Sequence, residues 1–416
     1  MTGDLRAVPP ASAPLPAPAP VPPFAPPLVL SPDLWQRIAR GTPDPGTVGL
    51  LRTARTGRNL LLLRALHAEL RDEPGWRPVV TLLAEVRRHA PALFGTQIAD
   101  PAAGTALADA VRTVLPGAVP ALAAVAGHRA GLPFRLDVPV QGDGVVLPGL
   151  GRARVGAGPA TVRVERGAYG TAVVAPGLRV EVPDPPGRSA PGWEPAPRLQ
   201  LSSGGAVFAV RLDPYALPHA GADRGGPVAE DRWRERLAAA WELLAARHPG
   251  RAAVVGATVR AVAPLAEPAH APGARRPWQS ASFSDAFGLV ALAPLDDPAE
   301  LAAALVHETQ HSLLYALQDL TPLLDAPPGA RGRAPWSDRP RPPSALLQGV
   351  SAFLVTAGFW RTEAAFGNRA ANAPYERTRH IARTAAGELA RDGWLTAHGR
   401  LLLDAVRDVL AEWEAP

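Results

Sequence analysis

Cysteine is absent from this 416-residue chain. That excludes disulfides, cysteine–zinc sites, thiol nucleophiles and cysteine-ligated iron–sulfur clusters. Any metal must be held by histidine, carboxylate, amide or water. Lysine is absent too, so all 43 basic residues are arginine. The net charge is +5. No dense basic run occurs, so the arginines read as dispersed surface charge and no nucleic-acid partner is expected. No apolar run approaches the roughly 18 residues of a membrane span, so no membrane partner is expected. The start of the chain is proline-rich rather than charged and then apolar, which is not the pattern of a signal peptide. A cytoplasmic location is the expectation.

What remains is a chain rich enough in hydrophobic residues, at 47%, to bury a large core. Residues 1–30 are dominated by proline and alanine and read as a disordered tail. Residues 31–130 read as an α-helical region, with helical patterns over about 47–72, 77–90 and 103–130, the last broken near Pro116 and Pro120. Residues 131–215 read as a β-rich region. Phe134–Val138, Val162–Glu165 and Leu178–Val182 alternate with period two, and Ala206–Leu212 suits a more buried strand. From 216 to 416 lies the region expected to carry the chemistry. The composition of elements points to an α+β fold: an α-rich N-terminal block, a β-rich middle and a helical C-terminal part, joined in one composite fold.

Within the last region, a helix carrying Trp233, Leu237, Trp241 and Leu244 is expected over about 229–247. Ala252–Val255 and Thr258–Pro264 read as strand-like pieces. The second half of Ser280–Leu292 reads as a strand just upstream of the key helix, where it would suit an extended peptide bound by strand addition. Further helices are expected from Ser344 to Trp360, over about 375–391, and over about 399–413.

The key helix is 297–320. Asp297 can cap it, Pro298 suits the first helical position, and Glu300 completes a capping box. Inside sits His307-Glu308-Thr309-Gln310-His311, an HExxH motif. Residues four apart share a helix face, so both imidazoles can reach one metal ion. Glu308 can lean toward a water or ligand held there. Leu301, Leu305, Leu313, Leu314 and Leu317 surround the motif, and uncompensated buried polar groups are costly. A metal is the simplest reason for them, giving a zincin-like local arrangement.

Two chemistries share this motif. Zinc hydrolysis needs a third protein ligand and an open position for water. The extended HExxHxxGxxH form fails, because positions 314 and 317 are both leucine. Glu363 is the nearest helical candidate for a glutamate ligand; Glu376 and Glu388 are weaker. The alternative is non-haem iron, where two histidines and one further ligand leave positions for a 2-oxo acid and oxygen. That chemistry needs a cation for the far carboxylate. The loop over 327–343 carries Arg331, Arg333, Arg339 and Arg341 together with Trp336. Its length and content suit a functional loop, and a guanidinium fork grips a carboxylate well.

The stretch LVHETQHSLLYALQDLTPLLD, then APWSDRPRP, then LLQGVSAFLVTAGFW, resembles the HExxH-motif peptide-modification family. That family includes 2-oxoglutarate-dependent HExxH-type peptide β-hydroxylases of ribosomal-peptide (RiPP) biosynthesis. The likeness extends upstream through SASFSDAFGLVAL and LDPYALP, and weakly through VVLPGLGRA, so it covers most of residues 47–365. It implies an iron(II), 2-oxoglutarate and oxygen-dependent dioxygenase, an oxidoreductase that hydroxylates a side-chain β-carbon of a precursor peptide after translation. The partners implied are that peptide and another maturation enzyme of the same pathway. His307 and His311 match the metal-binding pair. Arg341, with Trp336 in the same loop, falls where the family's motif has its arginine, and the expectation drawn from this is that it binds the 2-oxoglutarate carboxylate. Gln348 occupies a position where relatives carry histidine, which makes it a candidate third ligand. Two alternatives stand beside this: a zinc metallopeptidase with Glu308 as general base, and a precursor-binding scaffold that has lost catalysis.

Overall fold

The period-two alternation of the middle third closes antiparallel sheets whose inner faces are valine and alanine. The structure is a computed structural model that describes residues 30–217, 230–265, 280–391 and 393–414. The tail expected over 1–30 lies outside the described residues except for Leu30.

Six helices come first: α1 Pro32–Arg40, α2 Pro45–Leu70, α3 Trp76–His89, α4 Pro91–Ile98, α5 Pro101–Thr113 and α6 Val119–Ala130. Prolines open most of them at the first or second helical position, where the missing N–H costs nothing. Next come β1 Phe134–Pro139, β2 Gly144–Leu147, β3 Gly151–Arg154, β4 Thr161–Gly167, β5 Gly170–Ala175, β6 Leu178–Val182, β7 Trp193–Pro195, β8 Arg198–Ser203 and β9 Ala206–Leu212. The remaining elements are α7 Glu230–Arg247, α8 Pro249–Thr258, β10 Ala261–Pro264, β11 Ser280–Ser282, β12 Leu289–Leu292, α9 Pro298–Leu320, α10 Pro343–Ala365, α11 Asn372–Arg391 and α12 Ala397–Glu412. Helices and sheets are both abundant, as an α+β fold requires.

Three sheets form among the described residues. One is antiparallel in the order β1-β4-β5-β6, a second is the small β2-β3-β7, and the third is mixed, in the order β11-β12-β10-β9-β8. In the mixed sheet β9, β10 and β12 run parallel, while β8 and β11 run antiparallel on its two edges. Phe208, Val210, Leu212, Val262, Val290 and Leu292 turn one face of this sheet toward α7, α8 and α9. A second core joins α2, α3 and α6 to the antiparallel sheets through Trp76, Val125, Val164 and Trp193. A third gathers α1, α10, α11, α12 and the C-terminal half of α9 around Leu313, Leu317, Leu346 and Leu389.

Two expectations are corrected here. Ala252–Val255 is helical, within α8, and the following strand begins only at Ala261. Pro249 starts the helix, and Val254 and Val255 then bury into two different cores on opposite sides. Burial on both faces overrides their β preference. The strand upstream of α9, β12, is also no docking edge, because β11 covers one side and β10 the other. The edge strand next to α9 is β11, whose outer side pairs with no strand among the described residues. Helix α10 is long and apolar enough to cross a membrane, but 83% of its most apolar window is buried inside the protein.

Candidate metal centre

The local sequence builds α9 as expected. The Asp297 carboxylate accepts from the Ala299 N–H at 2.8 Å, and Pro298 opens the first turn. Leu301, Leu305, Leu313, Leu314 and Leu317 are all fully buried, which fixes the rotation of the helix. That rotation turns His307 and His311 toward α10, whose first turns follow the arginine loop.

The two rings meet edge to face with centroids 4.8 Å apart. Their Nε2 atoms lie 3.1 Å from each other. Two nitrogens bound to one ion at about 2.0–2.1 Å stand about 2.9–3.4 Å apart, depending on the angle at the metal. The observed separation falls in that range.

The partners of the other ring nitrogens set the tautomers. His307 Nδ1 lies 3.1 Å from Thr356 Oγ1. The Thr356 hydroxyl donates its proton to the Ala352 carbonyl one turn back, at 2.8 Å, so toward His307 it accepts. His311 Nδ1 lies 2.8 Å from Gln348 Oε1. The amide orientation of Gln348 is held because its Nε2 donates to Gln318 Oε1 at 3.1 Å. Both histidines therefore carry their proton on Nδ1 and direct the Nε2 lone pairs at one another. Two lone pairs facing at this distance are an arrangement that a cation between them would relieve. Burial, followed by the neighbouring His311, holds His307 well below the usual imidazole range. Oriented neutral imidazoles with hydrogen-bonded far nitrogens are the form in which histidine binds metal.

Glu308 is buried beside the pair. Ser280, the first residue of β11, donates its hydroxyl to Glu308 Oε1 at 2.6 Å. Glu308 Oε2 has no hydrogen-bond partner among the described residues. Tyr315 lies one turn beyond His311, its ring 6.5 Å from that imidazole, and burial followed by the charge of Glu308 raises its phenol above the usual range. Phe353 packs edge-on against His307 at 5.2 Å, and Trp336 lies against Phe353 at 5.3 Å. Trp336 can sit there because position 349 is glycine; a Cβ would collide with its ring. The Gln310 amide donates to Ile38 O and Ser351 Oγ, which locks α9 to α1 and α10.

The residues singled out by sequence thus separate into groups. His307 and His311 come together, Glu308 follows His307 on the helix but is tied to Ser280, and Trp336 closes an apolar wall beside the pair through Phe353. Gln348 is adjacent, but its oxygen is engaged by His311 Nδ1, so in this arrangement it orients the His311 ring rather than facing the Nε2 pair. Arg341 is exposed; its backbone pairs with Gly332 across the loop, and its guanidinium makes no ion pair among the described residues. Glu363 does not face the histidines. It is fully buried between Arg247 and His248. Glu376 and Glu388 are held by Arg379 and Arg391. Among the described residues no third histidine, aspartate or glutamate completes a metal-binding group with the pair. Thr356, Ser280 and Tyr315 were not apparent from sequence. Only Tyr315 had a signal, since it stands four residues after His311 on the same helix face. Comparison with protein-family models and with curated proteins returns no match for this chain.

Proposed function

We propose that His307 and His311 hold one iron(II) ion and that the protein is a 2-oxoglutarate-dependent hydroxylase acting on a side-chain β-carbon of a ribosomally made precursor peptide. The observation that carries the metal is the pair of facing Nε2 lone pairs, each imposed by a hydrogen bond at the opposite ring nitrogen. The residues fit such an ion: two neutral imidazoles of borderline softness and no thiolate. When bound with the 2-oxo acid and oxygen, iron supplies the oxidising power for C–H hydroxylation.

The chain's own residues would do the rest. Thr356 and Gln348 keep both rings neutral and aimed. Phe353 and Trp336 exclude water from one side of the pair. Arg341, with no carboxylate partner among the described residues, is the proposed grip for the far carboxylate of 2-oxoglutarate. The peptide is proposed to lie along β11, whose outer edge pairs with no strand among the described residues and whose Ser280 is tied to Glu308. That edge strand beside the HExxH helix gives the zincin-like local arrangement. A partner maturation enzyme belongs to the same proposal.

The unpartnered Oε2 of Glu308 favours one second reading, a zinc metallopeptidase with Glu308 as general base. The decisive experiment starts from protein purified without oxygen. Its metal content is measured, and it is then mixed with iron(II), 2-oxoglutarate and the precursor peptide before air is admitted. The expected product has gained one oxygen atom, with one succinate formed per turnover. Peptide fragments that have gained one water, formed equally without oxygen, would replace the hydroxylase with the peptidase. His307→Ala and His311→Ala are each expected to remove the metal while leaving the circular dichroism spectrum unchanged. Peptide binding that survives without metal or turnover would leave only the scaffold.

A further inference from the structure

The arginines of this chain are not all dispersed. On the face of the mixed sheet opposite α9, a cavity of about 540 Å³ lies between β8, β9 and the N-terminal helices. Arg198, Gln200, Ala209 and Arg211 line it from the face of β8 and β9 opposite Phe208 and Leu212, together with Leu199 and Val210, and neither His307 nor His311 is in its wall. Five guanidiniums line it: Arg52, Arg129, Arg198, Arg211 and Arg260.

Arg211 is already neutralised. It donates to both oxygens of Asp100 at 2.9 and 3.1 Å and to Asp213 at 2.9 Å. The other four have no carboxylate within ion-pair reach among the described residues. Arg129 is satisfied only by Gln97 Oε1 and the Gly149 carbonyl, and Arg260 only by the Gly256, Ala257 and Val259 carbonyls. Arg52 donates to the Ala257 carbonyl, and its Nε is buried without a partner. The Arg198 side chain makes no hydrogen bond among the described residues and stands directly across the antiparallel pair from Arg211. Like charges at that position repel. Burial, aided by neighbouring arginines, lowers both Arg198 and Arg129, the latter to about 10, so both remain charged near neutrality. Thr258, fully buried on the cavity wall, has a hydroxyl with no partner.

Four guanidiniums without a carboxylate partner among the described residues, three half-buried and Arg198 exposed, converge on one half-open cavity and concentrate positive potential that an anion would relieve. A planar carboxylate saturates with two guanidinium forks. A phosphate group offers three or more acceptor oxygens in a tetrahedron and up to two charges, which suits donors arriving from several directions. Phe287 and Pro101 add an apolar wall for an organic portion, and the volume lies within the roughly 300–1,000 Å³ of small-molecule sites. We propose that this cavity binds a phosphate-bearing small molecule, with Arg52, Arg129, Arg198 and Arg260 as the anion donors and Thr258 as a hydroxyl partner.

The test is isothermal titration of the full-length protein with inorganic phosphate, pyrophosphate, ATP and malonate at fixed ionic strength. Pyrophosphate and ATP are expected to bind once per chain, more tightly than phosphate, with affinity falling as sodium chloride rises. Arg198→Gln, which disturbs no hydrogen bond of the fold, is expected to weaken them at least about tenfold. Arg71→Gln, at a solvent-exposed arginine on a different surface, is expected to leave them unchanged, as is His307→Ala. Malonate binding as tightly as pyrophosphate, no binding of any phosphate probe, or an Arg198→Gln affinity equal to wild type would each overturn the assignment.

Discussion

Two buried glutamates sit on neighbouring helices and have opposite surroundings. Glu363 on α10 is enclosed where α7 meets α8, and both of its oxygens are engaged, Oε2 by Arg247 at 2.8 Å and Oε1 by His248 at 2.9 Å. His248 in turn stacks on Phe359 at 4.3 Å. Glu308 on α9 is nearly as buried, yet receives only the Ser280 hydroxyl and leaves its second oxygen without a partner. In the first region both carboxylate oxygens are spent on the fold, although His248 Nδ1 beside them is buried without a hydrogen-bond partner among the described residues. The second holds an under-satisfied carboxylate beside two imidazoles that face each other. Polar groups buried with their needs met stabilise, whereas groups held short of satisfaction in a packed interior mark a place for something else.

The same substitution at both glutamates tests that difference. Glu363→Gln removes a charged acceptor from Arg247 and His248 and is expected to cost about 1.5–3 kcal/mol, the range for hydrogen bonds to charged groups. Urea unfolding of protein treated with a chelator measures it. Glu308→Gln in the same assay is expected to be neutral or stabilising, because a charge with one hydrogen bond is replaced by a neutral amide. Equal losses at the two sites would erase the distinction. In the metal-loaded protein Glu308→Gln also separates the two chemistries: hydrolysis would stop, while oxygen-dependent hydroxylation would continue.

The contrast sharpens further at Gln348. If it orients His311 and lies outside the ligand set, Gln348→Ala lowers metal affinity by about 10–100-fold, the usual cost of removing an outer hydrogen-bond partner. A competition titration against a chromogenic chelator reads this directly. A loss as complete as that of His307→Ala would instead make Gln348 a ligand, with its oxygen turning from His311 Nδ1 to the ion.

How much of this was legible depended on the range of the interactions. Helix α9 could be read because its cap, its proline and its leucine spacing are all local. β1, β4 and β6 could be read because one face is buried and one exposed. β5 could not, since Thr171, Ala172 and Val173 are buried in succession and erase the alternation. That the two imidazoles would meet was legible because four residues make one turn. Their orientation was not, since Thr356 and Gln348 belong to a helix more than 35 residues away. Glu363 looked like a ligand for want of any sign that His248, 115 residues upstream, would claim it. The arginine cavity was hidden for the same reason. Its members stand between positions 52 and 260, and as letters they could not be told from dispersed surface charge.

The smallest expected effect concerns acid, and it extends the comparison to the N-terminal core. His128 on α6 pairs through Nδ1 with the buried Thr171 hydroxyl at 2.9 Å, which also accepts from Arg166. Burial, then the charge of Arg166, lowers its pKa below the ordinary 6.5. The folded protein therefore binds fewer protons at this site than the unfolded chain does. Its contribution to stability is present above pH 6.5 and is lost as the pH falls from there toward the depressed value. The same sign holds for His248, lowered first by burial, and for His307. Urea midpoints measured in chelator at pH 7.5 and 5.5 should thus fall with acid in the wild type. His128→Gln should show a shallower fall, with the rest left by the other two histidines. Because His128 is partly exposed, its share is well under the limit of about 1.4 kcal/mol per pH unit for one proton. An unchanged slope would mean that solvent relieves the His128 imidazolium in the folded state. The acid response would then belong to the regions around His248 and His307, the two buried histidine sites whose neighbouring glutamates differ.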